Sequence, residues 1–274
     1  MKKIHNSNSL VKKVYKFWNN KSCGEDIFLK KKDLSGYKFQ SDERYRLEPA
    51  IIKFANFPIS KGKKVLEIGV GLGAEHQLFA EAGANLFGID LTKRAIFLTR
   101  KRLNLYKLSS KLSVGNAEAL DFPNSNFDIV YSWGVMHHTP NTSKAINEVH
   151  RVLKANGIAK IMIYNKWSLV GIILWLRFAL FSLRPWRSFK YLYAKHLESP
   201  GTKAYSLSET RKLFKKFKKI KIKIELSPGD LLEYNVGKRY SGFLLTLIKI
   251  IWPRWFIRIF LKNLGSTILI EAKK

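Results

Sequence analysis

An apolar run, Val65-Leu66-Glu67-Ile68, leads into Gly69-Val70-Gly71-Leu72-Gly73, and one helix length later Gly88-Ile89 ends in Asp90. Glycines at alternate positions give a turn whose backbone carries no side chains. A carboxylate closing the next strand can accept hydrogen bonds from ribose hydroxyls, so the unit reads as a nucleoside-cofactor site. Gly69, Gly71 and Ala74 also satisfy the dinucleotide spacing G-x-G-x-x-A, and the glycines alone do not choose the cofactor. Glu67 discriminates: a pyrophosphate is held by a helix amino terminus with no carboxylate nearby. An acid two residues before the first glycine suits a cofactor carrying a cationic amine and a sulfonium.

Further ordered segments follow. Val114-Gly115-Asn116-Ala117-Glu118 ends a third strand, and Phe127 to Ser132 forms a fourth that runs into Trp133-Gly134-Val135-Met136-His137-His138. A helix over Ala145–Lys154 then stops at Asn156-Gly157 before a strand from Ile158 to Tyr164. On these segments the chain resembles the class I S-adenosylmethionine-dependent methyltransferases, in the type 11 branch that includes small-molecule and quinone methyltransferases. The resemblance implies S-adenosylmethionine as cofactor, held by Glu67, Gly69, Gly71 and Gly73 on its methionine side. It implies Asp90 and Leu91 at the ribose, Asn116, Ala117 and Glu118 at the adenine, and Trp133 beside the sulfonium. The family usually carries Asp where this chain has Asn116; an amide offers both a donor and an acceptor to the adenine edge. Each position also has a plainer reading as helix packing, a cap or a turn.

Methyl transfer from a sulfonium is an in-line displacement, so the protein chiefly positions the acceptor and excludes water. A general base is needed only for a protonated acceptor. His137 and His138 are the best placed bases, with ordering of their loop as the alternative; Tyr164 could hold an acceptor oxygen or simply pack. Trp18, Arg44 and Tyr45, in the amino-terminal segment, are candidate substrate contacts or packing residues. The turn after the fourth strand lacks the Asn/Asp-Pro-Pro-Tyr pattern of base-nitrogen methylation, and Cys23, the single cysteine, lies far from the loop a carbon-5 nucleophile would occupy. No Cys/His run has metal-ligand spacing, so no metal is expected.

The elements that must position these residues alternate strand and helix, with strands near 63–68, 85–90, 111–115, 127–132 and 158–164. A strand over 220–224 and a last one over 265–271 bring the number to seven. The expected fold is α/β: a Rossmann-like, mostly parallel seven-stranded sheet with helices on both faces. One domain is expected over 1–274: a helical cap of two short helices over 1–47, a cofactor-binding core over 48–165, and carboxyl-terminal strands with apolar helical insertions over 166–274. Ser206 to Glu209 has capping-box spacing and starts a helix to about Phe217.

The 274 residues carry a formal charge of +30, with 50 Lys and Arg against 20 Asp and Glu. Such a balance invites nucleic acid or an anionic membrane surface, or reflects lysines that solvate the exterior. One cysteine excludes a disulfide framework, and residues 1–13 lack the apolar core of a signal peptide, so a cytoplasmic protein is expected. Two apolar segments, Trp167 to Leu183 and Phe243 to Leu261, fall short of the roughly 20 uninterrupted apolar residues of a membrane span. In the second, Arg254, Arg258 and Lys262 recur every four residues opposite Trp255, Phe256, Ile259 and Phe260. This is the pattern of an interfacial amphipathic helix, of a lid over the site, or of a protein-contact helix. The expected activity is methylation of a small, hydrophobic or lipid-like acceptor, with peripheral membrane contact. A soluble acceptor such as a thiol, an RNA-associated enzyme and a non-catalytic cofactor-binding scaffold are the rivals.

Overall fold

The computed structural model describes residues 2–233 and 252–274. The cap comprises α1 (Lys2–Asn20), α2 (Glu25–Phe28) and α3 (Leu34–Leu47), one helix more than the sequence suggests. No Gly or Pro interrupts residues 2–20, and Val11, Val14 and Trp18 recur at helical spacing, so α1 runs for 19 residues. Asp33 caps α3 by accepting from Gly36 N at 2.8 Å. Helix α4 (Ala50–Ala55) leads to the sheet.

The sheet holds β1 (Lys64–Ile68), β2 (Asn85–Asp90), β3 (Lys111–Val114), β4 (Phe127–Trp133), β5 (Leu153–Tyr164), β6 (Lys219–Glu225) and β7 (Thr267–Lys273) in the order β3-β2-β1-β4-β5-β7-β6. Only β7 runs antiparallel to its neighbours β5 and β6. This is the expected mostly parallel seven-stranded sheet. Helices α5 (Ala74–Glu81), α6 (Lys93–Leu105) and α7 (Thr142–Val152) make the crossovers. Strand β1 lies between β2 and β4, so the direction of winding reverses at its carboxyl end. That crevice is where open α/β sheets bind ligands. The core over β1, β4, β5 and β7 is apolar, with Leu66, Val130, Ile161 and Ile270 fully buried.

Two boundaries differ from expectation. Helix α7 stops at Val152, and β5 begins at once, because Leu153 pairs with Phe127 before a register shift places Ile158 opposite Ile129. Helix α10 (Leu207–Leu213) has the predicted capping box at Ser206 and Glu209, but it ends short of Phe217: Phe214 and Phe217 turn into the core instead.

The first apolar segment folds as α8 (Leu169–Trp175), a π-helical turn over Leu176–Leu180, and then α9 (Phe189–His196). The first nine residues of the second, Phe243 to Ile251, lie outside the described residues. Its end forms α11 (Arg254–Phe260), which packs through Ile257 on Leu169 and Leu231. Arg254 donates to Leu231 O at 3.0 Å and Arg258 pairs with Glu233. Trp255, Phe256, Ile259 and Phe260 are exposed. The arginines of α11 thus serve the protein and its aromatics face outward, the reverse of a lid laid apolar side down. No helix among the described residues is long and apolar enough to cross a membrane.

Candidate functional site

A cavity of about 1840 Å³ lies over the carboxyl ends of β1, β2, β4 and β5, roofed by α1 and the segment to α3. Its floor at one end is the glycine turn. Gly69 has φ 84, and a Cβ there would stand 2.1 Å from Val135 Cγ2, so the loops after β1 and β4 approach as only glycine allows. Gly71 has φ 53 and open space where a Cβ would project, and its N–H donates to Asp90 Oδ2 at 3.2 Å. Asp90 Oδ1 accepts from Thr92 N and Thr92 Oγ1, each at 2.9 Å. A carboxylate has about four acceptor sites. Three are used, which leaves one on Oδ2 for a hydroxyl, beside a backbone cradle empty of side chains. That arrangement fits the ribose and amino-acid portions of S-adenosylmethionine.

Glu67 lines the same end, is 2% exposed, and meets His76 Nδ1 at 2.8 Å. Burial pushes Glu67 well above the carboxylate range, and Glu75 and Asp90 add to the effect. Burial lowers His76 to about 3. His76 Nε2 lies 2.7 Å from Ser110 Oγ, whose own proton points to Leu86 O at 2.9 Å. The consistent assignment is a neutral imidazole donating from Nε2 and a protonated Glu67 donating to Nδ1.

Leu91, Asn116, Ala117 and Trp133 also face the cavity. Asn116 Oδ1 accepts from Glu118 N at 2.9 Å, so its carbonyl is drawn into the turn and its NH₂ is the group left for a ligand. Two expected contacts are displaced. Glu118 turns away to accept from Asn141 N at 2.6 Å, capping the approach to α7, and Gly73 serves as the left-handed residue before α5.

At the other end, Trp18, Arg44, His138 and Tyr164 come together as candidates drawn from four distant parts of the chain. Tyr45 does not join them: it packs under β1 with Ile51 and Phe79, because α3 presents Arg44 and Tyr45 on different faces. His137 is fully buried with neither ring nitrogen hydrogen-bonded, and its ring lies 3.9 Å from that of Tyr164. Burial, then His138 and Lys203, holds His137 well below the usual histidine range. It packs on Tyr164 and is not among the residues lining the cavity. His138 is engaged at both nitrogens, Nδ1 with Ser199 Oγ at 2.9 Å and Nε2 with Glu198 Oε2 at 3.2 Å.

Glu198 is the group that sequence reasoning missed. Tyr164 Oη donates to Glu198 Oε2 at 2.9 Å, and the carboxylate faces the cavity. Burial opposes its charge, but the hydrogen bond and charge of His138 and the hydrogen bond of Tyr164 outweigh burial and lower its pKa. Burial and Glu198 hold Tyr164 well above its ordinary value, so it stays a phenol. His137, His138 and Glu198 bring ligand-type atoms within 4.8 Å of one another, a cluster made by tertiary contact that no sequence spacing shows. The wall beyond is apolar, with Ile173 and Leu174 of α8 and Leu197 after α9.

Arg44 pairs with Glu75 at 2.6 Å and Glu48 at 3.3 Å, tying the cap to α5. Cys23 is exposed and opens onto this charged region, where the nearby carboxylates of Glu198, Glu48 and Glu75 disfavour its thiolate.

Residues 66–161 match the family described as methyltransferase domain. Phosphoethanolamine N-methyltransferase 2 of Caenorhabditis elegans is 34% identical over 134 residues, 48% of this chain and 30% of that protein. The 2-methyl-6-phytyl-1,4-hydroquinone methyltransferase of Synechocystis is 33% identical over 110 residues, 38% of this chain and 33% of its own. The matched segment thus spans about a third of these relatives. Among solved structures, phosphoethanolamine N-methyltransferase 2 of Haemonchus contortus, in complex with phosphomonomethylethanolamine and S-adenosylhomocysteine, superimposes with a TM-score of 0.55 at 20% identity. That likeness covers 84% of this chain and 52% of the other, and shows the shared fold.

Proposed function

On the match of residues 66–161 to the methyltransferase domain family, we propose that the chain is a class I S-adenosylmethionine-dependent methyltransferase that transfers a methyl group from that cofactor to a small, amphiphilic, lipid-like acceptor carrying a hydroxyl. The cofactor supplies an electrophilic methyl carbon. Asp90 holds a ribose hydroxyl through its remaining acceptor site, the Gly69–Gly71 backbone leaves room for the amino-acid portion, and Asn116 and Ala117 bound the adenine side.

The observation that carries the acceptor reading is a carboxylate, Glu198, fixed by Tyr164 and His138 at the edge of an otherwise apolar wall. An apolar acceptor body packs against Ile173, Leu174 and Leu197 while its hydroxyl meets Glu198. The hydroxyl proton becomes acidic as the new oxygen–carbon bond forms, so even a weak base can take it. Glu198 receives it at Oε1, the oxygen that neither Tyr164 nor His138 engages. A phosphorylated acceptor fits less well, since Arg44 is already paired twice and Glu48 and Glu198 face the same space. The outward aromatics of the carboxyl-terminal third support peripheral contact with a membrane, from which such an acceptor would come.

The test is incubation with methyl-labelled S-adenosylmethionine and a cell extract, followed by partition into organic, small aqueous and macromolecular fractions. Label in the organic fraction is expected, together with cofactor affinity about 10- to 100-fold weaker in Asp90→Ala, the loss of a hydrogen bond to a charged group. Label only in small aqueous products would overturn the lipid-like acceptor; label in RNA would overturn the substrate class. Unchanged affinity in Asp90→Ala would remove the ribose assignment.

A further inference from the structure

Residues 180–186, Leu-Phe-Ser-Leu-Arg-Pro-Trp, form the turn between the π-helical end of α8 and α9, and all seven are exposed. Phe181, Leu183 and Trp186 are 77%, 84% and 77% exposed. Single exposed apolar residues are ordinary, but three large ones at one turn are not.

Leu183 adds an independent observation. Its N–H bonds to Leu180 O at 2.9 Å and Arg184 N to Ala179 O at 2.8 Å, which is the Schellman closure of a helix. The residue that closes it takes a left-handed conformation, here φ 55, and glycine is the usual occupant. A leucine there is strained and gains no burial, so it contributes nothing to the stability of the fold. Strain of this kind persists where a function needs the side chain.

Charge identifies what the turn meets. Residues 166–197 contain Lys166, Arg177, Arg184, Arg187, Lys190 and Lys195 and no Asp or Glu. Aromatic and aliphatic side chains flanked in the chain by Arg184, Arg187 and Lys190, with no acid in the segment, complement a surface that is apolar below and anionic above. Helix α8 meanwhile lines the cavity with Val170, Ile173 and Leu174, so the same element carries both the exposed turn and the apolar wall of the site.

We propose that the 180–186 turn is a membrane-docking tip that seats Phe181, Leu183 and Trp186 in the interface of an anionic bilayer, with Arg184 and Lys190 at the headgroups. This deepens the reading of a lipid-like acceptor: the tip holds the cavity wall at the surface where such an acceptor resides. It differs from the interfacial role that the sequence suggests for Arg254 and Arg258, whose side chains are engaged within the fold.

The test is co-sedimentation of the full chain with sucrose-loaded vesicles, one set of pure phosphatidylcholine and one with about a third phosphatidylglycerol. Binding to the anionic vesicles is expected, weakened by salt. It should fall about tenfold or more in Phe181→Ser/Leu183→Gly/Trp186→Ser and about fivefold in Arg184→Gln. Leu183→Gly alone should raise or preserve the melting temperature while weakening binding, which separates docking from folding. Undiminished binding by the triple variant, no binding to anionic vesicles, or a dimer in sedimentation equilibrium that the triple variant dissolves would each overturn the proposal. Cofactor affinity and labelling of detergent-dispersed extract report on the methyltransferase reading separately, and should be unchanged in these variants.

Discussion

Glu198→Gln is expected to lower methyl transfer by about 10²- to 10⁴-fold with little change in cofactor affinity, the range for removal of a general base. The amide keeps the size and still accepts from Tyr164 Oη, so the wall and its hydrogen bond survive while the proton acceptor is lost. The pH profile separates Glu198 from its neighbours. A base must be deprotonated to act, so activity is lost as pH falls through its pKa. For Glu198 that value lies below the ordinary carboxylate range, because the hydrogen bond and charge of His138 and the hydrogen bond of Tyr164 outweigh the effect of burial. The rate should therefore stay flat from neutrality down to about pH 5. A limb in the imidazole range, abolished in His138→Gln and not in Glu198→Gln, would move the proton to His138. Tyr164→Phe should have the smaller effect, since it removes a donor that positions Glu198 and no base.

Arg102→Ala is expected to destabilise the protein by about 3–5 kcal/mol, the cost of orphaning several buried neutral acceptors and opening a cavity where the side chain packed. Arg102, on α6, has no solvent exposure and, among the described residues, no carboxylate partner within hydrogen-bond reach. Burial lowers its pKa. Its donors are met by neutral oxygens: Nε by Gln77 Oε1 at 2.7 Å, Nη1 by Gln40 Oε1 at 2.5 Å and Leu72 O at 3.2 Å, and Nη2 by Tyr37 O at 3.2 Å and by Ser41 Oγ. Tyr37, Gln40 and Ser41 belong to α3, Leu72 to the glycine turn and Gln77 to α5. One guanidinium thus fastens the cap to the cofactor turn. Removing it orphans those acceptors and leaves a hole. Arg102→Lys should recover little, because one ammonium cannot reproduce a five-donor fork. Urea unfolding checks the magnitude, with a drop of the order of 10 °C in melting temperature. A loss below about 1 kcal/mol would mean that water replaces the fork, and that α3 is held by other contacts.

Much of the cofactor end was legible before any fold was known. An apolar strand, a glycine turn and a carboxylate at the next strand end are set by residues within a few positions of one another, and local sterics decide them. The acceptor end was less so. Tyr164 and His138 stand at strand ends and were found there, whereas Glu198 sits 34 residues beyond Tyr164 in a segment with no motif. Arg44 and Tyr45 are adjacent and chemically plausible alike, yet one faces the cavity and the other the core.

The sequence by itself determined the strand and helix alternation of the core, the mostly parallel sheet, the capping of α10, the glycine turn and Asp90, because period-two and helical patterns and turn chemistry act over single turns and strands. Only the tertiary structure decided that α9 folds back to hand Glu198 to Tyr164 and His138. It alone paired the arginines of α11 with Leu231 O and Glu233 and gave the whole fork of Arg102 to neutral oxygens. Periodicity says which face of an element is apolar and nothing about what covers it. Where partners lie tens of residues apart, packing makes the choice.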